Sequence, residues 1–166
     1  MFQYSFANVD LQISMKDNAP HPVDASLGST LVVDGFTTGE GLITVAPRAP
    51  IAVTTYGAYG DMVVSMQRIT SSDLSFTLLQ NSPNNEWLQK WANHFQSLAF
   101  GGNALVTPLM ATMTDNMGND TATLTNGVIL AKPVMSRGQT ASTVTWVLTF
   151  ETAVYDRGVG PGDAVI

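Results

Sequence analysis

Cysteine is absent from the chain, which excludes disulfides, thiolate metal sites and cysteine nucleophiles. That absence leaves location open, since a cytoplasmic or virion protein can equally lack cysteine. Charge is scarce. Only 12% of the 166 residues are Asp, Glu, Lys or Arg, against roughly 25% in an average globular domain. The seven basic residues are scattered: Lys16, Arg48, Arg68, Lys90, Lys132, Arg137 and Arg157. With a net charge of −6, this scatter argues against sequence-independent grip on duplex DNA, which needs clustered cations. No run of about 18 apolar residues is present to span a membrane. The stretch up to Met15 has no basic region followed by an apolar run, so neither a targeting segment nor membrane insertion is expected.

Hydrophobic residues stand at an ordinary 45%, so the polar surface must come from Thr, Ser, Asn, Gln and Gly. A surface with few charges defends poorly against association. Coverage by sister subunits is therefore favoured over an uncharged monomer. The length suits one domain over residues 1–166, with a core that needs no staples.

Alternation marks the first strand: Val9, Leu11, Ile13 and Met15 share a face opposite Asp10, Gln12 and Ser14. Residues 16–38 are rich in turn formers and read as a long loop, with Leu31-Val32-Val33 as its one short strand. Gly41–Val45 is a strand, and 46–60 a second loop in which Ile51–Thr55 is able to pair. Met62–Arg68 and Leu74–Gln80 read as an antiparallel hairpin turning at 69–73, with Phe76 and Leu78 toward the core. A helix is expected over about 82–99. Ser82 is its cap, Pro83 its first position and Glu86 an acid in the first turn. Trp87, Leu88, Trp91, Ala92, Phe95, Leu98 and Ala99 form one apolar stripe. Trp87, Trp91 and Phe95 brace it onto a sheet, and Gly101-Gly102 ends it. Strands return at 104–113, at 121–133 with Ala122, Leu124, Val128 and Leu130 on one face, and at 143–154. In the last, Val144, Trp146, Leu148 and Phe150 oppose Thr143, Thr145, Thr149 and Glu151. The tail from about 157 is expected to be flexible alone.

No catalytic apparatus emerges. His21 lies between prolines and His94 on the helix, outside any HExxH spacing. No GxSxG elbow supports a triad. The glycines at 35–41 and 57–60 lack the ending of a phosphate loop and the context of a dinucleotide site. Asp115–Asp120 lacks the closing glutamate of a calcium loop and reads as a hairpin turn. The expectation is a non-enzyme with no cofactor and no metal.

Several short motifs carry a resemblance. They are Tyr4-Ser5-Phe6 before the first strand, Gly41–Val45, the Gly57–Asp61 turn, Leu78-Leu79-Gln80-Asn81-Ser82-Pro83-Asn84-Asn85 before the helix, and Ala131-Lys132-Pro133 before a Trp-bearing final strand. In that order they resemble the tail tube (inner tube) proteins of contractile-tailed bacteriophages, a family related to the type VI secretion tube protein. The resemblance implies a mainly β, sandwich- or barrel-like fold with one flanking helix. It also implies hexameric rings stacked into a hollow tube, with neighbouring subunits' strands joined around the channel. The implied partners are further copies, the tail sheath, the baseplate, the tail terminator, and DNA passing through without specific binding. The implied location is the virion tail, after assembly in the host cytoplasm. On this reading Asp61, Ser65, Asp73, Ser75 and Thr77 are lumen candidates. Asp17, Asn18, His21, Asp24 and Asp34 are ring-stacking candidates, and the helix, with Glu86 and Lys90 outward, faces a sheath. The alternatives are a type VI-like secretion tube protein and a monomeric β-barrel binding a small ligand.

Overall fold

The computed structural model describes residues 9–34, 43–101, 106–116, 118–140 and 142–158. Nine strands and one α-helix are found among them: β1 (Val9–Met15), β2 (Thr30–Val33), β3 (Ile43–Pro47), β4 (Ala52–Tyr56), β5 (Met62–Met66), β6 (Ser72–Leu79), α1 (Asn84–Leu98), β7 (Leu109–Asp115), β8 (Thr121–Ala131) and β9 (Thr143–Asp156). Seven strands form one antiparallel sheet in the order β2-β1-β7-β8-β9-β6-β3, which curls into a half-barrel. The fold is mainly β with one flanking helix, as the sequence predicts.

Period two builds this sheet. Leu11, Ile13 and Met15 of β1, Leu74, Phe76 and Leu78 of β6, and Trp146, Leu148 and Phe150 of β9 are all buried on one face. The Trp87, Leu88, Trp91 and Ala92 stripe of α1 joins the same core. Each large side chain so removed from water contributes about 1.5–3 kcal/mol, enough to hold a helix of 15 residues on the sheet.

Pairing around β5 and β6 departs from the expected hairpin. Met62–Met66 pairs with β4, in the register Ala52↔Met66 to Tyr56↔Met62, while β6 pairs with β3 and β9. Two adjacent apolar runs therefore belong to different sheets. The 46–60 segment is not simply a loop, because it contains β4. The Gly57–Asp61 turn closes the β4–β5 ribbon: Gly57 N–H donates to the Asp61 carbonyl at 2.8 Å, and Gly60 takes φ +85°. Residues 16–34 are likewise structured. Two 3₁₀ turns, at Lys16–Asn18 and Ala25–Leu27, precede β2, which pairs with β1.

β8 does not keep one face. Asn126 adopts φ +56°, and the β7–β8 register slips beside it. The parity flips there, so Ile129 is buried and Leu130 faces solvent, contrary to the simple alternation of Ala122, Leu124, Val128 and Leu130. Of the expected tail, Arg157 and Gly158 are described. Gly158 N–H donates to Asp120 Oδ1 at 2.8 Å. The Tyr4-Ser5-Phe6 motif and Gly41 lie outside the described residues.

The kink also fixes a glycine. A Cβ on Gly127 would lie 2.2 Å from the ring of Phe150, which is fully buried and cannot swing away. Gly127→Ala is expected to destabilise the fold by about 1–3 kcal/mol, as overpacking does, measured by urea denaturation. Adding Phe150→Leu should return part of that loss.

Candidate assembly interface

The turn from β6 into α1 is a hub of amide side chains. Asn85 Nδ2 donates to the carbonyls of Leu79 and Gln80, and its Oδ1 accepts from the buried Trp146 indole at 2.9 Å. Asn84 Nδ2 donates to the carbonyl and carboxylate of Asp34 at 3.1 and 2.9 Å. Gln80 Oε1 accepts from the Ser142 hydroxyl at 2.6 Å, and its Nε2 donates to the Ser136 carbonyl. Ser82 Oγ accepts from Asn84 N–H at 3.4 Å. Pro83 sits at the helix start with φ −63° and caps nothing by side chain. The Gln80–Asn85 stretch thus orients α1 against β9 and the 16–34 segment at once.

Of the helix brace, Trp87 and Trp91 are buried, while Phe95 is half-buried and stacks on Trp91 at 5.3 Å. The ring-stacking candidates divide. Asp17 and Asn18 occupy a turn with positive φ and are exposed. His21, Asp24 and Asp34 instead bond to α1, with His21 buried, Asp24 half-buried and Asp34 exposed. His21 is buried edge-on against Trp87, with ring centroids 4.9 Å apart. Its Nδ1 accepts from the Val23 and Asp24 amides at 3.3 and 3.4 Å. The proton is thereby assigned to Nε2, which donates to the Trp87 carbonyl at 3.2 Å. The Trp87 indole in turn donates to the Gly28 carbonyl. Asp24 accepts from the Ser26 hydroxyl and amide, which hold its carboxyl below the usual range, with Lys90 adding to the effect. Lys90 is raised first by Glu86 at 2.7 Å and then by Asp24 at 3.4 Å.

The lumen candidates do not form one group. Asp73, Ser75 and Thr77 lie together on β6, on the face away from the core. Asp73 Oδ1 accepts from the Thr149 hydroxyl and pairs with Arg48 at 3.3 Å. Thr77 and Thr145 share a hydrogen bond. Asp61 and Ser65 belong to the separate β4–β5 ribbon. Asp10, Gln12, Thr112 and Thr123 continue the outer face across the sheet. None of the nine strands contains Lys or Arg.

The ribbon itself is the feature that period-two reasoning misses. Every residue of β4 and β5 except Ala52 is exposed, among them Val53, Tyr56, Met62, Val63, Val64 and Met66. Its signal in the sequence is composition: from residue 49 to residue 67 the one charged side chain is Asp61. Among the described residues no cluster able to hold a metal is found, and no helix is long and apolar enough to cross a membrane.

No protein-family model and no curated protein matches the sequence. Solved structures do match in fold. A chain from the PVC sheath/tube terminator of an extracellular contractile injection system, in its extended state, superposes with TM-score 0.55 at 10% identity. The alignment covers 94% of this chain and 98% of that one. A chain from the anti-feeding prophage baseplate reaches TM-score 0.49 at 9% identity, over 96% and 99%. One from the anti-feeding prophage tube-terminating cap reaches 0.46 at 9% identity, over 95% and 93%. At such identities the likeness is one of fold.

Burial pushes the His21 imidazole below its ordinary value, against the pull of the Trp87 carbonyl and Asp24; Lys90 and His94 lower it further. The folded state therefore resists a proton that the unfolded chain accepts. Its stabilising contribution is present above the ordinary imidazole pKa and is lost as pH falls through it. The melting temperature should drop between about pH 7.5 and pH 5.5, and His21→Gln should flatten that slope. An unchanged slope would show that another group is responsible.

Proposed function

We propose that the chain is a structural subunit of a contractile tail or injection apparatus, of the tube or tube-terminator kind, and not an enzyme. The observation that carries this reading is the exposed, nearly uncharged β4–β5 ribbon on a chain already poor in charge. Such a ribbon favours association. The fold shared over nearly the full length of the PVC chain supports this reading. On this reading hexameric rings stack into a tube. Sheath, baseplate and terminator proteins are the neighbours, and the assembled tail of a virion is the location.

The channel wall is the outer face of the sheet, represented by Asp73, Ser75 and Thr77. Phosphate is held by cations, so a wall of Thr and Ser, whose one nearby cation, Arg48, is paired with Asp73, lets DNA pass with little sticking. A second reading, a capping ring at the tube end, draws support from the terminator named in the PVC structure. Polymerisation separates the two, because a tube subunit stacks to length whereas a terminator stops at rings.

Negative-stain microscopy of the purified chain over a concentration series is expected to show rings, or tubes with a central channel. A monodisperse monomer at every concentration would refute the proposal and favour a small-ligand barrel. If the outer face lines the channel, Ser75→Lys with Thr77→Lys should make assembled particles retain duplex DNA at low salt and release it at high salt. Particles that ignore DNA equally with and without the lysines would remove that face from the lumen.

A further inference from the structure

The two faces of the ribbon differ. By register, Ala52/Met66, Thr54/Val64 and Tyr56/Met62 share one face, and Val53/Ser65 and Thr55/Val63 the other. The first carries two methionines and a tyrosine, with Met66 80% and Tyr56 67% exposed. Flexible thioethers and an amphipathic ring suit a surface that adapts to a partner. The second is short and β-branched or hydroxylated, like the outer face of the main sheet.

At the other end of β6 and β9 lies a groove of about 240 Å³ between the start of α1 and the segment entering β9. Its apolar wall is Pro133, Val134, Met135 and Val144, and Arg137 stands on its lining. Val134 and Met135 are 88% and 79% exposed. Ribbon and groove adjoin opposite ends of β6, and the side chains of both are exposed, so neither covers the other within one chain. Their charges complement each other. Asp61, beside the ribbon turn, is its one charge; the groove carries both Glu86 and Arg137, and because Glu86 is taken up by Lys90 Arg137 is the charge left to meet it. Neither Asp61 nor Arg137 has an ion pair among the described residues.

We propose that the Tyr56/Met62/Val64/Met66 face of the ribbon seats in the Val134/Met135 groove of a second copy of this chain, with Asp61 paired to that copy's Arg137. The proposal rests on the assembly reading above and adds the residues through which assembly runs. Apolar side chains supply the attraction, and the ion pair sets register and orientation more than strength. In the ring assembly of that reading the contact runs head to tail, each copy giving its ribbon to one neighbour and receiving the ribbon of another. The Val53/Thr55/Val63/Ser65 face is left toward the wetter side.

The test is mass photometry and sedimentation velocity on the full chain, with circular dichroism confirming that each variant is folded. Wild type is expected to assemble as concentration rises. Met62→Asp and Met135→Asp should stay monomeric at concentrations where wild type assembles, and Val63→Asp on the opposite face should assemble as wild type does. Asp61→Arg should raise the concentration needed by about tenfold, and Asp61→Arg with Arg137→Asp should restore it. Wild type that assembles while Met62→Asp and Met135→Asp assemble equally well overturns the docking proposal and leaves the structural role standing. A charge-reversed pair no better than Asp61→Arg alone overturns the groove as the seat. Wild type monomeric throughout overturns both readings.

Discussion

A curled sheet has a face to bury, and among the described residues α1 is the one helix that buries it. Trp87, Leu88 and Trp91 belong to one core with Leu74, Phe76, Leu148 and Phe150. Everything else is placed relative to that contact. Asn85 ties the first turn of α1 to the β6 end and to the Trp146 indole, so the helix cannot slide along the sheet without breaking a buried hydrogen bond, a loss of about 1–3 kcal/mol. The 16–34 segment is tied to the same helix through His21, Asp24 and Asp34. That segment leads into β2, which forms one edge of the sheet. A shift of α1 would therefore reach the sheet edge through a chain of specific bonds.

The second constraint is the exclusion of basic residues from the strands. All seven Lys and Arg sit in turns, in the helix or in connections. Hydroxyls do the surface work instead, partly by bonding across strands, as Thr77 does with Thr145 and Asp73 with Thr149. This satisfies polar groups locally but provides little electrostatic repulsion between copies. Edge strands β2 and β3 then lack the inward charges and lysines that commonly discourage edge-to-edge contact.

Periodicity made much of this legible. β1, β6, β9 and α1 carry clean periods of two or 3.6, and their buried faces follow from them. The failures share a cause: local pattern does not specify a partner. Met62–Met66 and Ser72–Leu79 are adjacent apolar runs, yet the turn between them is a crossover from ribbon to sheet. In β8 a single Asn in the left-handed region reverses the inward face, which no alternation count detects. His21 looked like a loop residue between prolines. Its burial depends on Trp87, 66 positions away. On β6 the period of two puts Phe76 and Leu78 toward the core, as found, with Asp73, Ser75 and Thr77 on the other face; Asp61 and Ser65 join them only under a β5–β6 hairpin, and the observed pairing is β4–β5.

The ribbon is what remains once the core is accounted for. It adds nothing to the cluster that holds the sheet and helix together, so its Met and Val content is not explained by folding. Exposed apolar side chains are a liability for an isolated subunit. They become an asset when a surface of matching character exists on another copy, and one lies at the opposite end of β6 and β9. Surfaces that differ and sit at opposite ends can also pair head to tail from copy to copy. Each bound copy presents a fresh ribbon and a fresh groove, so addition continues until rotation between copies closes a ring or, failing closure, runs on as a filament. On the proposed docking, a single weakly charged ribbon converts a small β-protein into an assembly whose extent is set by geometry, not by the strength of any one contact.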